Sequence, residues 1–298
     1  MKVLNFGSLN LDYVYAVDHF VQPGETEASL SQQIKAGGKG LNQSIALVKA
    51  GVPVYHAGCV GQGGTMLKEL LIREGVDCTY LRDSEEIQGN AVIQVNRKGD
   101  NSILLFGGSN RCITEEQIES TLTSFEQGDY LLLQNEINGL KQIVDLAYEK
   151  GMKIFLNPSP YNENLADVDL HKITWILINE VEAEQISGKK EPDEIFAYIH
   201  EKYPELSVLL TLGENGSIAW KVEQGYATEN RQQAFPVTAV DTTAAGDTYT
   251  GYFISGLVHG ESLADCMKKA SLASSICVGR SGAADSIPYA RELDSSDR

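Results

Sequence analysis

Basic residues are scarce in this chain. Twenty-four lysines and arginines stand against 41 aspartates and glutamates over 298 residues, a formal charge of −17. A nucleic-acid binder or a protein resting on anionic lipid needs a basic face, so no nucleic-acid partner and no membrane partner is expected. A small anion remains admissible, because backbone N–H groups at a helix start hold phosphate without lysines. Cysteine is thin as well: Cys59, Cys78, Cys112, Cys266 and Cys277 are scattered, with no CxxC pair. That usage predicts reduced thiols and a cytoplasmic setting. The five histidines form no HExxH or similar cluster, so a dedicated transition-metal site is not expected. No run of about 18 apolar residues occurs, and the opening MKVLNFGSLNLD lacks the apolar core of a signal peptide. Repeats, linkers and low-complexity stretches are missing too, which points to one domain over 1–298 with only the tail after Glu292 loose.

What is present is alternation. Short apolar runs, VLNFGSL (3–9), VYHAGCVG (54–61), YLLLQNE (130–136), KIFLNPSP (153–160), WILINE (175–180) and SVLLTLG (207–213), have few charges before their ends and stop at Gly, Asn or Pro. Buried parallel strands read this way. Between them, 41–51, 65–75, 140–151 and 192–203 have helical periodicity, three of them closing on glycine. Strand and helix in alternation predict an α/β fold, a mainly parallel central sheet flanked by helices. Two segments, 10–36 and 88–106, break the rhythm with strand-like alternation, the second around a Lys98-Gly99-Asp100-Asn101 turn. Together they predict one small antiparallel sheet, a lid over the main body.

Ligands of such sheets gather beyond the C-terminal ends of the strands. Polar residues fall at those ends: Asn10 with Asp12, Glu136, Asn157, Asn179 with Glu182, Thr211 with Gly213, and Asp241 to Asp247. Each alone reads as turn or cap chemistry. Six ends on one sheet edge read as a site. In AVDTTAAGDTYTGYF (239–253), Val237 to Val240 reads as a strand end and 248–260 as a helix. Ala244, Ala245 and Gly246 are small enough for backbone N–H groups to approach an anion, and the helix dipole adds to the attraction. Asp247 then lies at the mouth of an anion hole. It could be an ordinary N-cap. A carboxylate beside a phosphate cradle is also what phosphoryl transfer to a hydroxyl requires of its base. The stretch AGGKGLNQ (36–43) is not a Walker A loop: the first glycine would fall on Gln33, and Gly40 follows Lys39 where Ser or Thr belongs. Its Gly37 and Gly38 would let backbone approach a ligand, with Lys39 and Asn42 at a helix start.

Taken together, GSLNLD (7–12), GGKGLNQ (37–43), NEVE (179–182), TLGENG (211–216), DTTAAGD (241–247) and GRSGAADSIP (279–288) resemble the ribokinase (phosphofructokinase-B type) family of carbohydrate kinases. Order and spacing hold to about Pro288. The resemblance implies that Asp247 is the catalytic base and that the N–H groups of Ala244, Ala245 and Gly246 hold the transferring phosphoryl group. It implies sugar binding by Asn10, Asp12, Gly38, Lys39, Asn42, Glu136 and Asp247. Asn179, Thr211, Gly213, Gly216, Gly246 and Ser271 match nucleotide contacts, and Glu182 matches a residue organising Mg²⁺. Asp241, Thr243, Cys277, Arg280, Gly282 and Ser286 match a site for K⁺, largely through carbonyls. The implied reaction carries the γ-phosphoryl of ATP to the 5-hydroxyl of D-ribose, and the lid sheet implies a homodimer. Departures fall at Ala244, where glycine is usual in the wider family, at Ser271, near the adenine, and at Arg111.

Two rival readings follow from the residues. The same chemistry could serve another acceptor, such as deoxyribose, a nucleoside, fructose or a sugar acid. For a nucleoside, Tyr13, Tyr15 and Phe106 would supply an aromatic shelf. The other rival is a non-catalytic sugar- or nucleotide-binding regulator, which would lack the base, the anion hole or NxxE; all three are present. A Rossmann dehydrogenase is weaker still, since no strand ends in GxGxxG.

Overall fold

The computed structural model describes residues 1–296. Its strands are β1 (Val3–Phe6), β2 (Asn10–Ala16), β3 (Ser31–Gly37), β4 (Val54–Gln62), β5 (Asp77–Ile87), β6 (Asn90–Val95), β7 (Asn101–Phe106), β8 (Tyr130–Gln134), β9 (Lys153–Asn157), β10 (Trp175–Asn179), β11 (Ser207–Thr211), β12 (Ser217–Glu223) and β13 (Tyr226–Gln232). The helices are α1 (Lys39–Lys49), α2 (Thr65–Glu74), α3 (Glu115–Leu122), α4 (Leu140–Glu149), α5 (Glu180–Ser187), α6 (Pro192–Lys202), α7 (Ala245–Val258), α8 (Leu263–Val278) and α9 (Ala290–Ser296). All six apolar runs became strands of the large sheet, and all four periodic stretches became helices. The tail after Glu292 continues as helix to Ser296, and its last two residues lie outside the described ones.

Nine strands form the large sheet, in the order β13-β12-β11-β10-β9-β8-β1-β4-β5. From β5 to β11 every pair is parallel, and the β11-β12 and β12-β13 pairs are antiparallel. Alternate residues enter the cores of opposite faces, as period-2 side chains must. Leu132, Phe155, Leu177 and Leu209 pack with residues of α1, α2, α7 and α8. Leu131, Ile154, Ile176 and Val208 pack with residues of α3, α4 and α6. The chain runs from β1 to β4 and β5 on one side, and to β8 and its followers on the other. The order therefore reverses at β1, and the crevice beyond its C-terminal end is the expected ligand position.

The second sheet has four strands, β3-β2-β6-β7. Its two hairpins are antiparallel, as anticipated, but β2 and β6 pair in parallel. The reason is connectivity: α1, β4, α2 and β5 lie between the two excursions, so each leaves the body in the same direction. One further expectation fails. Residues 237–240 are not a strand; they run as irregular chain, with the Val240 and Asp241 N–H groups both donating to Val278 O, at 2.9 and 3.2 Å. Val237 and Val240 are substantially exposed, so β-branched composition there reflects no sheet position.

Candidate active site

Two adjoining cavities lie at the C-terminal edge of the large sheet. The larger, about 760 Å³, is walled by Asn10, Asp12, Gly38, Lys39, Asn42, Glu136 and Asp247, which are all seven predicted sugar positions. One face of the small sheet roofs it, through alternating residues such as Val14, Ile93 and Leu105. The smaller, about 230 Å³, is walled by Asn179, Glu182, Thr211, Ala244, Ala245, Gly246 and Asp247, among others. Lys39, Ser159, Thr242, Ala244 and Asp247 border both.

Asp247 stands in the first turn of α7, three residues after its N-cap, Ala244. It is therefore not the cap, and its carboxylate is free for other work. Only 7% exposed, it accepts from Asn42 Nδ2 at 2.9 Å on Oδ2 and from Gln43 Nε2 at 2.8 Å on Oδ1. Ala244 holds φ of 61°, a left-handed conformation that costs a residue with a Cβ about 1 kcal/mol. Placed just before helical residues, it turns successive N–H groups toward one point, the geometry of an anion-binding nest. The Ala245 N–H closes a turn on Thr242 O at 3.2 Å. Those of Ala244, Gly246 and Asp247 have no hydrogen-bond partner among the described residues, so two of the three expected N–H groups are unengaged and that of Asp247 joins them.

The sugar-side residues hold one another. The Lys39 N–H donates to Glu136 Oε2 at 3.1 Å, and Ser8 Oγ donates to the same oxygen. Burial, and then Glu136 nearby, push the Asp12 carboxyl up to about 7. Burial alone would depress the Lys39 ammonium, but the charges of Asp247, Glu136 and Glu182 outweigh it and hold the group above its ordinary value. The two glycines part company: Gly38 borders the larger cavity, and Gly37 borders neither. A Cβ on Gly37 would lie 2.0 Å from Asp12 Oδ2, so this glycine makes room for a side chain, not a ligand. Gly38 has φ of 91° and caps α1.

On the other side, Asn179 and Glu182 form a capping box at the start of α5: Asn179 Oδ1 accepts the Glu182 N–H at 2.9 Å, and Glu182 Oε2 accepts the Asn179 N–H at 3.0 Å. The cap fixes a nearly buried carboxylate at the edge of the smaller cavity. Gly213, Gly216 and Ser271 border neither cavity; Ser271 donates to Gln233 O at 3.3 Å. Under the 241–247 loop, Asp241 accepts the N–H groups of Thr243 at 2.9 Å and Gly282 at 3.1 Å. Burial would raise the Asp241 carboxyl, but these hydrogen bonds hold it below its ordinary value. Cys277 Sγ lies 3.7 Å from Thr243 O and 3.0 Å from Ser286 Oγ, while the Arg280 guanidinium turns outward to Glu292 at 2.6 Å.

Three residues escaped the sequence reading. Gln43 ends the quoted GGKGLNQ motif, yet its contact with Asp247 has no local signal. Gln134 sits in a run read only as a buried strand. Asn110 Nδ2 donates to Asn10 Oδ1 at 2.7 Å, which uses one lone pair of that oxygen and leaves the Asn10 N–H groups to offer. The aromatic shelf is not formed: Tyr13 and Tyr15 alternate with Asp12, Val14 and Ala16, and only the latter three border the cavity, as Phe106 does not. Arg111 also turns away, donating to Ile137 O at 3.0 Å.

A carboxylate between a hydroxyl-binding cavity and an N–H cradle at a helix start suits phosphoryl transfer to an alcohol. The model of the pfkB family carbohydrate kinases matches residues 1–290. The chain belongs to that family. Its relatives include a ribokinase of Haemophilus influenzae, 35% identical over 96% of this chain and 95% of the relative. Among solved structures, a ribokinase from Cryptococcus neoformans in complex with ADP superposes with a TM-score of 0.86 at 30% identity, covering 99% of both chains. A ribokinase of Arabidopsis thaliana complexed with ribose and ATP gives 0.85 at 28% identity, covering 99% of this chain and 97% of that one. Like other pfkB kinases of this shape, the chain has the α/β body and the separate small sheet. Among the described residues, no helix is long and apolar enough to cross a membrane.

Proposed function

We propose that this pfkB kinase transfers the γ-phosphoryl group of ATP to the 5-hydroxyl of D-ribose, with Asp247 as base. The observation that carries the reading is Asp247 itself, bordering both cavities and gripped through both carboxylate oxygens by α1. The sugar occupies the larger cavity, where Asp12, Glu136 and Asn42 accept from hydroxyls and Asn10 donates. Its primary hydroxyl donates to Asp247, which takes the proton as the oxygen–phosphorus bond forms and ADP departs. A carboxylate suffices for the base, because a loose transition state asks for proton removal only late. The N–H groups of Ala244, Gly246 and Asp247, with Ala245 sharing its own, receive the phosphoryl oxygens, and Lys39 adds charge between the cavities. Asn179 and Thr211, at the smaller cavity, are assigned to the nucleotide, and Gly213, Gly216 and Ser271 are assigned to it from the family motifs alone.

Glu182 is a hard oxygen donor at the phosphate cavity, which fits Mg²⁺ held through water; bound there, the ion would neutralise charge developing on the phosphates. Beneath the loop, Asp241 with the carbonyls around Thr243, Cys277, Gly282 and Ser286 fits K⁺, since the Arg280 guanidinium faces away, donating to Glu292. The ion would stiffen the cradle, and exchanging K⁺ for Li⁺ should then lower turnover. The small sheet acts as a lid that excludes water over the sugar. Ile34 and Leu104 lie on its outer face, exposed with Phe106 on β7, and a second copy of the chain is the partner we assign to that surface. Sedimentation of a monomer at micromolar concentration would refute the pairing. Free cysteines and the need for ATP support a cytoplasmic setting. The central test is Asp247→Asn: turnover of ribose should vanish while ATP still binds and the fold is kept, and retained turnover would overturn the base assignment.

A further inference from the structure

Asp247 takes an N–H from Gln43, and what fixes that amide lies deeper. An amide side chain can present nitrogen or oxygen, and its neighbours decide which. Gln43 Oε1 accepts from Gln134 Nε2 at 2.6 Å, and Gln134 Nε2 also donates to Asn5 Oδ1 at 3.0 Å. Asn5 Nδ2 donates to Gly40 O and to Ser44 Oγ, both at 2.8 Å. Ser44 Oγ lies 2.8 Å from His56 Nδ1. Asn5, Gln43, Ser44, His56 and Gln134 are all 0% exposed.

The direction of this series has one solution. Gly40 O is a backbone carbonyl and can only accept, so Asn5 must turn its nitrogen to it and its oxygen to Gln134. Gln134 must then offer nitrogen, which it gives to both Asn5 and Gln43. Gln43 spends its oxygen there and has only N–H left for Asp247. A reversed Gln134 would set its oxygen against two others. Burial pushes the ring of His56 down to about 4, so at neutral pH the far end carries no charge that could compete. Gln134 Oε1 has no hydrogen-bond partner among the described residues and lies where a Cβ on Gly7 would come within 2.5 Å. An unpaired buried oxygen is costly, and a core built for stability alone would hold an apolar side chain here.

We propose that Gln43 and Gln134 are positioning residues for the base. The polarity set at the Gly40 carbonyl passes through Asn5 and Gln134 to Gln43, which with Asn42 fixes the roll of the Asp247 carboxylate toward the acceptor hydroxyl. The inference rests on Asp247 being the base. The test compares Gln43→Met, Gln134→Met and the double variant for kcat, for dissociation constants of ribose and ATP, and for melting temperature. Each single change should lower kcat roughly ten- to a hundred-fold, as expected when a catalytic group is misplaced by about 1 Å, with both dissociation constants unchanged. The double variant should be no slower than the slower single, because both act through one amide. Wild-type kcat in a folded single variant, or multiplied effects in the double, would overturn the relay. If the methionine variants fail to fold, isosteric Gln134→Glu replaces them. Ionised, it offers Gln43 no donor; protonated, it does, so its kcat relative to wild type should recover toward acid pH, and a ratio independent of pH overturns the proposal. A wild type inert on ribose would overturn both readings, whereas an active wild type with an equally active Gln43→Met would overturn the positioning role alone.

Discussion

An alanine at position 37 would carry a Cβ 2.0 Å from Asp12 Oδ2, 2.5 Å from its Cγ and 2.8 Å from its Oδ1. Carbon and oxygen settle at about 3.4 Å, so the whole carboxylate must retreat by roughly 1.4 Å. Gly37 itself does not have a left-handed φ, so the backbone accepts alanine and the disturbance stays with Asp12. A hydrogen bond near ~2.8 Å stretched by that much ceases to be one. A bond to a charged group contributes about 1.5–3 kcal/mol, so losing one weakens sugar binding roughly ten- to a hundred-fold. Asp12 borders only the larger cavity, so nucleotide binding should be unaffected. Calorimetric titration of Gly37→Ala with ribose and with a non-hydrolysable ATP analogue separates the two effects. A ribose dissociation constant within about twofold of wild type, in a folded protein, would refute the spacing argument. Weakening of both ligands equally would show a global disturbance instead.

Asp12 also sets a pH dependence. A carboxyl raised to about 7 in the folded state binds its proton more tightly than in the unfolded chain, so the stability it contributes is complete below the ordinary carboxylate range and is lost as pH rises through 7. The ligand-free protein should melt lower at pH 8 than at pH 5.5, and Asp12→Asn should flatten that slope; an unchanged slope would refute the assignment. Because sugar hydroxyls prefer the ionised carboxylate, ribose affinity should fall about eightfold from pH 7.5 to pH 6, with proton release visible as buffer-dependent heat. Ala244→Gly removes the left-handed strain and should raise stability by about 0.5–1 kcal/mol, a melting shift of roughly 2 °C. A lower melting temperature in that variant would show that the methyl group's packing against Cys277 and Ala283 outweighs the strain.

The alternation of apolar runs and helical stretches determined the α/β class, because burial on both faces of a parallel sheet leaves a local mark in each strand. The short motifs likewise marked the site: residues needed at strand ends are read there directly, and Asp247, Lys39, Asn42 and Glu136 were all legible before any coordinate. What was not legible is non-local. Val237 to Val240 have strand composition but find no sheet to join. Period two puts Tyr13 and Asp12 on opposite faces of β2, a conflict the aromatic-shelf reading overlooked, and only the seating of the small sheet decides which face roofs the cavity. The parallel junction of β2 and β6 depends on the four elements, α1, β4, α2 and β5, between the two excursions. Gln43 and Gln134, 91 positions apart, meet because α1 packs over the sheet beside β8. No window of sequence contains that contact, and the orientation of its amides is set by a carbonyl belonging to neither residue.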